Sequence, residues 1–117
     1  MNSVLRVDDD PDILDMVSLV LKTNNLRVNC INNGADLLPA IHRNKPDVVL
    51  MDIYLGDADG RDLCNSLKAS GNFNDIRVIL YSAGHITSSS VRESGADDFL
   101  SKPFDNMQLI NKIRALI

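Results

Sequence analysis

The chain has 117 residues, the length of one ordinary domain, and 44% of them are apolar, enough for a real core. Its 12 Lys and Arg against 16 Asp and Glu leave a formal net charge of −4, which argues against a general nucleic-acid or membrane-surface binder. No apolar run approaches the ~20 residues that span a bilayer, and the opening Met-Asn-Ser-Val-Leu-Arg is no charged-then-apolar leader, so a cytoplasmic home is expected.

Short apolar segments alternate with helix-like ones, and no linker or repeat interrupts them. The first apolar segment is 4–7. The helix after it has Asp10 as a cap, Pro11 at the first helical position, and Asp12 suited to the N-terminal dipole. Ile13, Val17, Val20 and Leu21 make its apolar stripe. A second strand is predicted at 27–31. The helix over 34–44 contains Pro39, which predicts a kink or a late start. The third strand, 47–51, is apolar at every residue from Val48 to Met51, as in a strand buried on both faces. Asp59 is placed to cap the next helix, with Asp62 three residues on and Leu63 and Leu67 facing one way. The fourth strand is 76–81. The segment 85–95 holds one Thr and four Ser, with Ile86 and Val91 as its sizeable apolar residues, so a short, poorly anchored helix is expected. The fifth strand is 98–101. The last helix is capped by Asp105, with Gln108 able to reach back, Phe104 stapling onto Leu109, and a stripe of Leu109, Ile113, Leu116 and Ile117.

Five strands alternating with five helices predict one α/β domain over 1–117, with a parallel sheet and helices on both faces. In such sheets ligands sit at the C-terminal strand ends. Those ends carry Asp8-Asp9-Asp10, Asp52, Ser82-Ala83 and Lys102-Pro103. Carboxylates gathered at one edge repel one another, and a hard divalent cation such as Mg2+ relieves that repulsion. Lys102 adds a fixed positive charge and Ser82 a hydroxyl. A carboxylate in that setting can take up a phosphoryl group as an acyl phosphate.

The run Val7-Asp8-Asp9-Asp10-Pro11, then Met51-Asp52 with Asp59-Gly60, then Ser82-Ala83, then Lys102-Pro103-Phe104, resembles the receiver domain of bacterial two-component response regulators. The resemblance covers essentially the whole chain. It implies a flavodoxin-like sheet of order 2-1-3-4-5. It makes Asp52 the phosphoacceptor, loaded from a sensor histidine kinase or a histidine phosphotransfer protein. Mg2+ (or Mn2+) would be held by Asp8, Asp9, Asp52 and the backbone carbonyl of Tyr54. Ser82 and Lys102 would bind phosphoryl oxygens, and Ser82 with Phe99 would form the switch. The implied protein is a signalling domain rather than an enzyme, passing a conformational change to an unnamed effector, without direct nucleic-acid or membrane contact. Pairing through the fourth helix, fifth strand and fifth helix is a family habit that the weak fourth helix does not favour here.

Arg6 departs from the family pattern, because a central strand has little room for a charge; it is expected to snorkel to an edge or pair with a carboxylate. Gly56 stands where proline is frequent, which predicts a looser loop. Tyr54 and Gly84 lie at positions that tune phosphoryl lifetime in the family. Plainer readings compete. The three aspartates can be a capping cluster, Asp52 a loop residue and Phe99 core. Cys30 and Cys64 read as small buried thiols, and His42 and His85 as surface residues. Asp57 to Gly60 hints at a calcium loop, which fails because Leu55 and Ser66 take the first and twelfth ligand positions. An aspartyl-nucleophile phosphatase of the haloacid-dehalogenase type needs a second aspartate where Tyr54 stands. Flavodoxin-like cofactor binding lacks its hydroxyl-rich loop. A degenerate receiver serving only as a binding module is disfavoured by the intact Asp8, Asp9, Asp52, Ser82 and Lys102.

Overall fold

In a computed structural model of the chain, five parallel strands form one sheet: β1 Ser3–Val7, β2 Arg27–Ile31, β3 Val48–Asp52, β4 Arg77–Ser82 and β5 Asp98–Ser101. The structure describes residues 2–73, 75–83 and 88–117, and of 11–15 and 88 the backbone alone. The strand order is β2-β1-β3-β4-β5, the order expected for a flavodoxin-like sheet. Helices α1 Pro11–Thr23, α2 Leu37–Arg43, α3 Gly60–Ala69, α4 Ser88–Glu93 and α5 Asn106–Leu116 fill the connections. A two-rung antiparallel hairpin, Tyr54–Leu55 with Ala58–Asp59, links β3 to α3.

Strand periodicity divides the core into two layers. Leu5, Val7, Val49, Met51, Val78 and Leu80 point to one side, where Leu37 and Ile41 of α2 and Cys64 and Leu67 of α3 cover them. Val4, Val48, Leu50, Ile79, Tyr81 and Leu100 point to the other, under Val17 and Leu21 of α1 and Leu109, Ile110 and Ile113 of α5. Residues 48–51 are all completely buried, as an apolar run in a central strand requires. Each such side chain is worth about 1.5–3 kcal/mol against exposure.

Local signals place most helix starts. Asp59 caps α3 through the Arg61 N–H at 2.8 Å, and Asp105 caps α5 through the Gln108 N–H at 2.7 Å. The Asp59 carboxylate is also gripped by the Arg61 side chain, at 2.6 Å from Nη2, which holds it well below the usual carboxylate range. Helix α2 starts late, at Leu37, so Pro39 falls in its first turn, where a missing N–H leaves no intrahelical bond unmade. Among the described residues α4 spans six, Ser88–Glu93.

Some expectations need correction. β3 and β4 each run one residue further than predicted, to Asp52 and Ser82. Ile110 takes the buried place in α5 given to Ile117, which is 43% exposed. Cys30 is exposed; Cys64 is buried, and burial pushes its thiol up to about 11. The loop after Asp52 is pinned rather than loose: the Asp57 carboxylate accepts the N–H groups of Gly34 (2.8 Å) and Ala35 (3.0 Å). His42 is exposed as expected. Gly84, His85, Ile86 and the side chain of Ile13 lie outside the described residues.

Candidate functional site

Parallel register brings the strand ends together. Val7 pairs with Met51, Asp52 with Tyr81, and Ser82 with Ser101. Asp8 and Asp52 thus end neighbouring strands, and the Lys102 N–H donates to the Ser82 carbonyl at 2.9 Å.

The Asp8 carboxylate is fully buried. Its Oδ1 accepts the Asp10 N–H at 2.8 Å, and its Oδ2 accepts the Tyr81 hydroxyl. Asp52 is nearly buried; its Oδ1 accepts the Tyr54 N–H at 3.0 Å. Lys102 Nζ lies 3.1 Å from Asp52 Oδ2, 3.6 Å from Asp8 Oδ2 and 4.6 Å from the Tyr81 ring centroid. Burial raises the Asp52 carboxyl above its ordinary value, and the Tyr54 N–H and Lys102 only partly offset this. Asp9 is exposed. One oxygen from each of Asp8, Asp9 and Asp52 lies within 4.8 Å of the others. The donor set is all oxygen, which fits a hard cation that keeps open positions.

The hairpin shapes the approach to Asp52. A Cβ on Gly60 would lie 2.4 Å from the Asp52 carbonyl oxygen, so only glycine fits there. Tyr54 is half exposed beside Asp52, and Ser82 is buried at the end of β4. Phe99 is partly buried and packs against the layer containing Leu80.

Every predicted site residue except Phe99 therefore meets at one sheet edge. Sequence reading missed Tyr81. Arg6 does not snorkel, and among the described residues it meets no carboxylate directly: it is completely buried, and its Nη2 donates to the Tyr81 hydroxyl at 3.1 Å. The signal available was the spacing of Arg6 and Asp8, two residues apart and hence on one face of β1.

The response regulator receiver domain model matches residues 4–114. The chain belongs to that family. As a receiver domain it is a phosphoacceptor signalling module of two-component systems. It is 34% identical over 114 residues to the DNA-binding response regulator MtrA of Mycolicibacterium smegmatis, covering 96% of this chain and 49% of MtrA. It is 36% identical over 119 residues to the heme response regulator HssR of Staphylococcus aureus, covering 100% of this chain and 52% of HssR. The receiver domain thus spans about half the length of these curated relatives. Among solved structures, the signal receiver domain of a Syntrophus aciditrophicus signal transduction histidine kinase superposes with a TM-score of 0.92 at 25% identity, over 99% of this chain and 89% of that one. The receiver domain of the Pseudomonas aeruginosa sensor histidine kinase PA1611, which has a magnesium ion coordinated in its active-site cleft, shares the fold at a TM-score of 0.88 and 23% identity, over 98% and 96% of the two chains. Among the described residues no helix is long and apolar enough to cross a membrane.

Proposed function

We propose that this receiver domain, folding as one unit over 1–117, takes a phosphoryl group on Asp52 from the phosphohistidine of a sensor kinase or phosphotransfer protein. The observation that carries the reading is the placement of Asp52. Its Oδ1 is held by the Tyr54 N–H at 3.0 Å, and its Oδ2 faces Lys102 Nζ at 3.1 Å. An Asp52 oxygen attacks phosphorus, the P–N bond breaks, and the imidazole leaves with the electron pair. Lys102 and the Ser82 hydroxyl then bind phosphoryl oxygens. Asp8, Asp9, Asp52 and the Tyr54 carbonyl are the residues that would hold Mg2+. When bound, the ion offsets charge on the transferring oxygens. The half-exposed Tyr54 ring screens the acyl phosphate from water, whose attack ends the signal. Ser82 and Phe99 carry the change outward, and phosphorylation biases an equilibrium between two conformations. The chemistry is confined to the domain's own aspartate, the domain works in the cytoplasm, the phosphodonor is a sensor histidine kinase or a histidine phosphotransfer protein, and the effector lies outside residues 1–117.

Incubation with acetyl phosphate and Mg2+, followed by intact mass measurement, tests this. One labile phosphoryl adduct is expected, absent in Asp52→Asn. Absence of an adduct on the wild-type protein refutes the reading.

A further inference from the structure

Arg6 is the least expected group in the sheet. It occupies β1 on the α1/α5 side, level with Leu50 and Cys30, and is completely buried. Its Nη2 donates to Tyr81, while Nε and Nη1 have no hydrogen-bond partner among the described residues. A guanidinium does not lose its charge, so a desolvated one with a single hydrogen bond among the described residues is costly unless opposite charge lies near. Among the described residues, that charge comes from the acidic cluster, reached through Tyr81. The hydrogen bonds run one way, from Arg6 Nη2 to the Tyr81 hydroxyl and from that hydroxyl to Asp8 Oδ2. The guanidinium carbon lies 5.7 Å from the Tyr81 ring centroid, and Lys102 Nζ lies 4.6 Å from the same ring. Tyr81 thus contacts two cations: Lys102 Nζ lies 3.6 Å from Asp8 Oδ2, and Arg6 reaches that oxygen through the Tyr81 hydroxyl.

We propose that Arg6, acting through Tyr81, is a built-in counter-charge for the Asp8–Asp9–Asp52 cluster, a positioning residue that stabilises the metal-free site and thereby weakens its hold on Mg2+. The proposal rests on the metal-binding reading given above. Its physical content is competition between two sources of positive charge. One is fixed beneath Asp8 and the other arrives from solvent. The carboxylates are already partly neutralised from below, so a cation entering from above gains less. The interaction is buried, so salt screens it weakly. It also holds Oδ2 of Asp8 toward the interior, leaving ligand capacity on Oδ1.

Calorimetric titration with MgCl2 provides the test, using the wild type, Arg6→Met, Arg6→Gln and Arg6→Lys. Met fills the site without charge, and such replacements of buried ions are tolerated by many folds. Gln keeps a donor for Tyr81 without charge, and serves should Met fail to fold. Both neutral variants are expected to bind Mg2+ on the order of tenfold more tightly, at low and at high salt. Arg6→Lys retains the charge and the wild-type Kd, an outcome that a purely structural role for Arg6 does not produce. Folded neutral variants with an unchanged or weaker Kd, beside a wild type that binds Mg2+, overturn the counter-charge alone. A wild type that binds no Mg2+ overturns the metal reading and the counter-charge with it.

Discussion

Asp52 is 7% exposed, and burial raises its carboxyl above the ordinary range despite the Tyr54 N–H and Lys102. The folded chain therefore holds the Asp52 proton more tightly than the unfolded chain. Between the ordinary value and the raised one the folded state binds more protons, so stability falls as pH rises through that window. The stabilising contribution is complete below the ordinary value and lost above the raised one. Asp52→Asn removes this dependence and keeps an acceptor for Tyr54. In metal-free buffer the Asn variant is expected to melt higher than wild type at about pH 7, with the gap closing toward about pH 4. Melting curves across that range check it; a gap that widens toward acid contradicts it. The aspartates and Lys102 were legible in the sequence because each directly follows an apolar strand. The Arg6–Tyr81 contact was not, because 75 positions separate its partners and only the register of β1, β3 and β4 brings them together.

Among the elements, legibility followed local chemistry. Caps at Asp59 and Asp105 and the late start forced by Pro39 depend on neighbours within a few residues. The tie between α3 and the far sheet edge does not. Lys68 Nζ donates to the Ile76 carbonyl at 2.6 Å and to Asp97 Oδ2 at 2.7 Å, joining α3, β4 and the turn before β5. Nothing within a few residues of Lys68 announces those partners. The junction of β3, hairpin and α3 is likewise a tertiary feature. Asp59-Gly60 reads as a cap and turn, yet Gly60 is required because the Asp52 carbonyl passes so close. Gly60→Ala forces that backbone apart and is expected to cost about 3 kcal/mol, the upper part of the overpacking range. Urea unfolding measures the loss. Because the displaced strand end carries Asp52, adduct formation with acetyl phosphate should slow in the same variant; a stable, fully reactive Gly60→Ala protein would show that the contact is not enforced.

For the whole molecule, the net charge of −4 says little until its location is known. Alternating strands and helices predicted that Asp8, Asp9 and Asp52 would converge, and the sheet order brings them there. The layering on both faces followed from strand periodicity; the inward charge of Arg6 ran against it, since no local rule puts a guanidinium in a central strand. A converged acidic edge stores repulsion that a divalent cation releases, so global stability should depend on Mg2+. A ligand that binds only the folded state at a hundred times its Kd adds about 2.7 kcal/mol. For a domain of this size that raises Tm by on the order of 10 °C. Thermal unfolding in EDTA and in saturating MgCl2 should show that rise for wild type. Asp9→Ala loses a carboxylate that the fold does not bury, so its EDTA melting point should stay near wild type while the Mg2+-induced rise shrinks sharply. Equal rises in both proteins would place the cation elsewhere. A fall in the EDTA melting point as large as the lost rise would instead make Asp9 a structural residue.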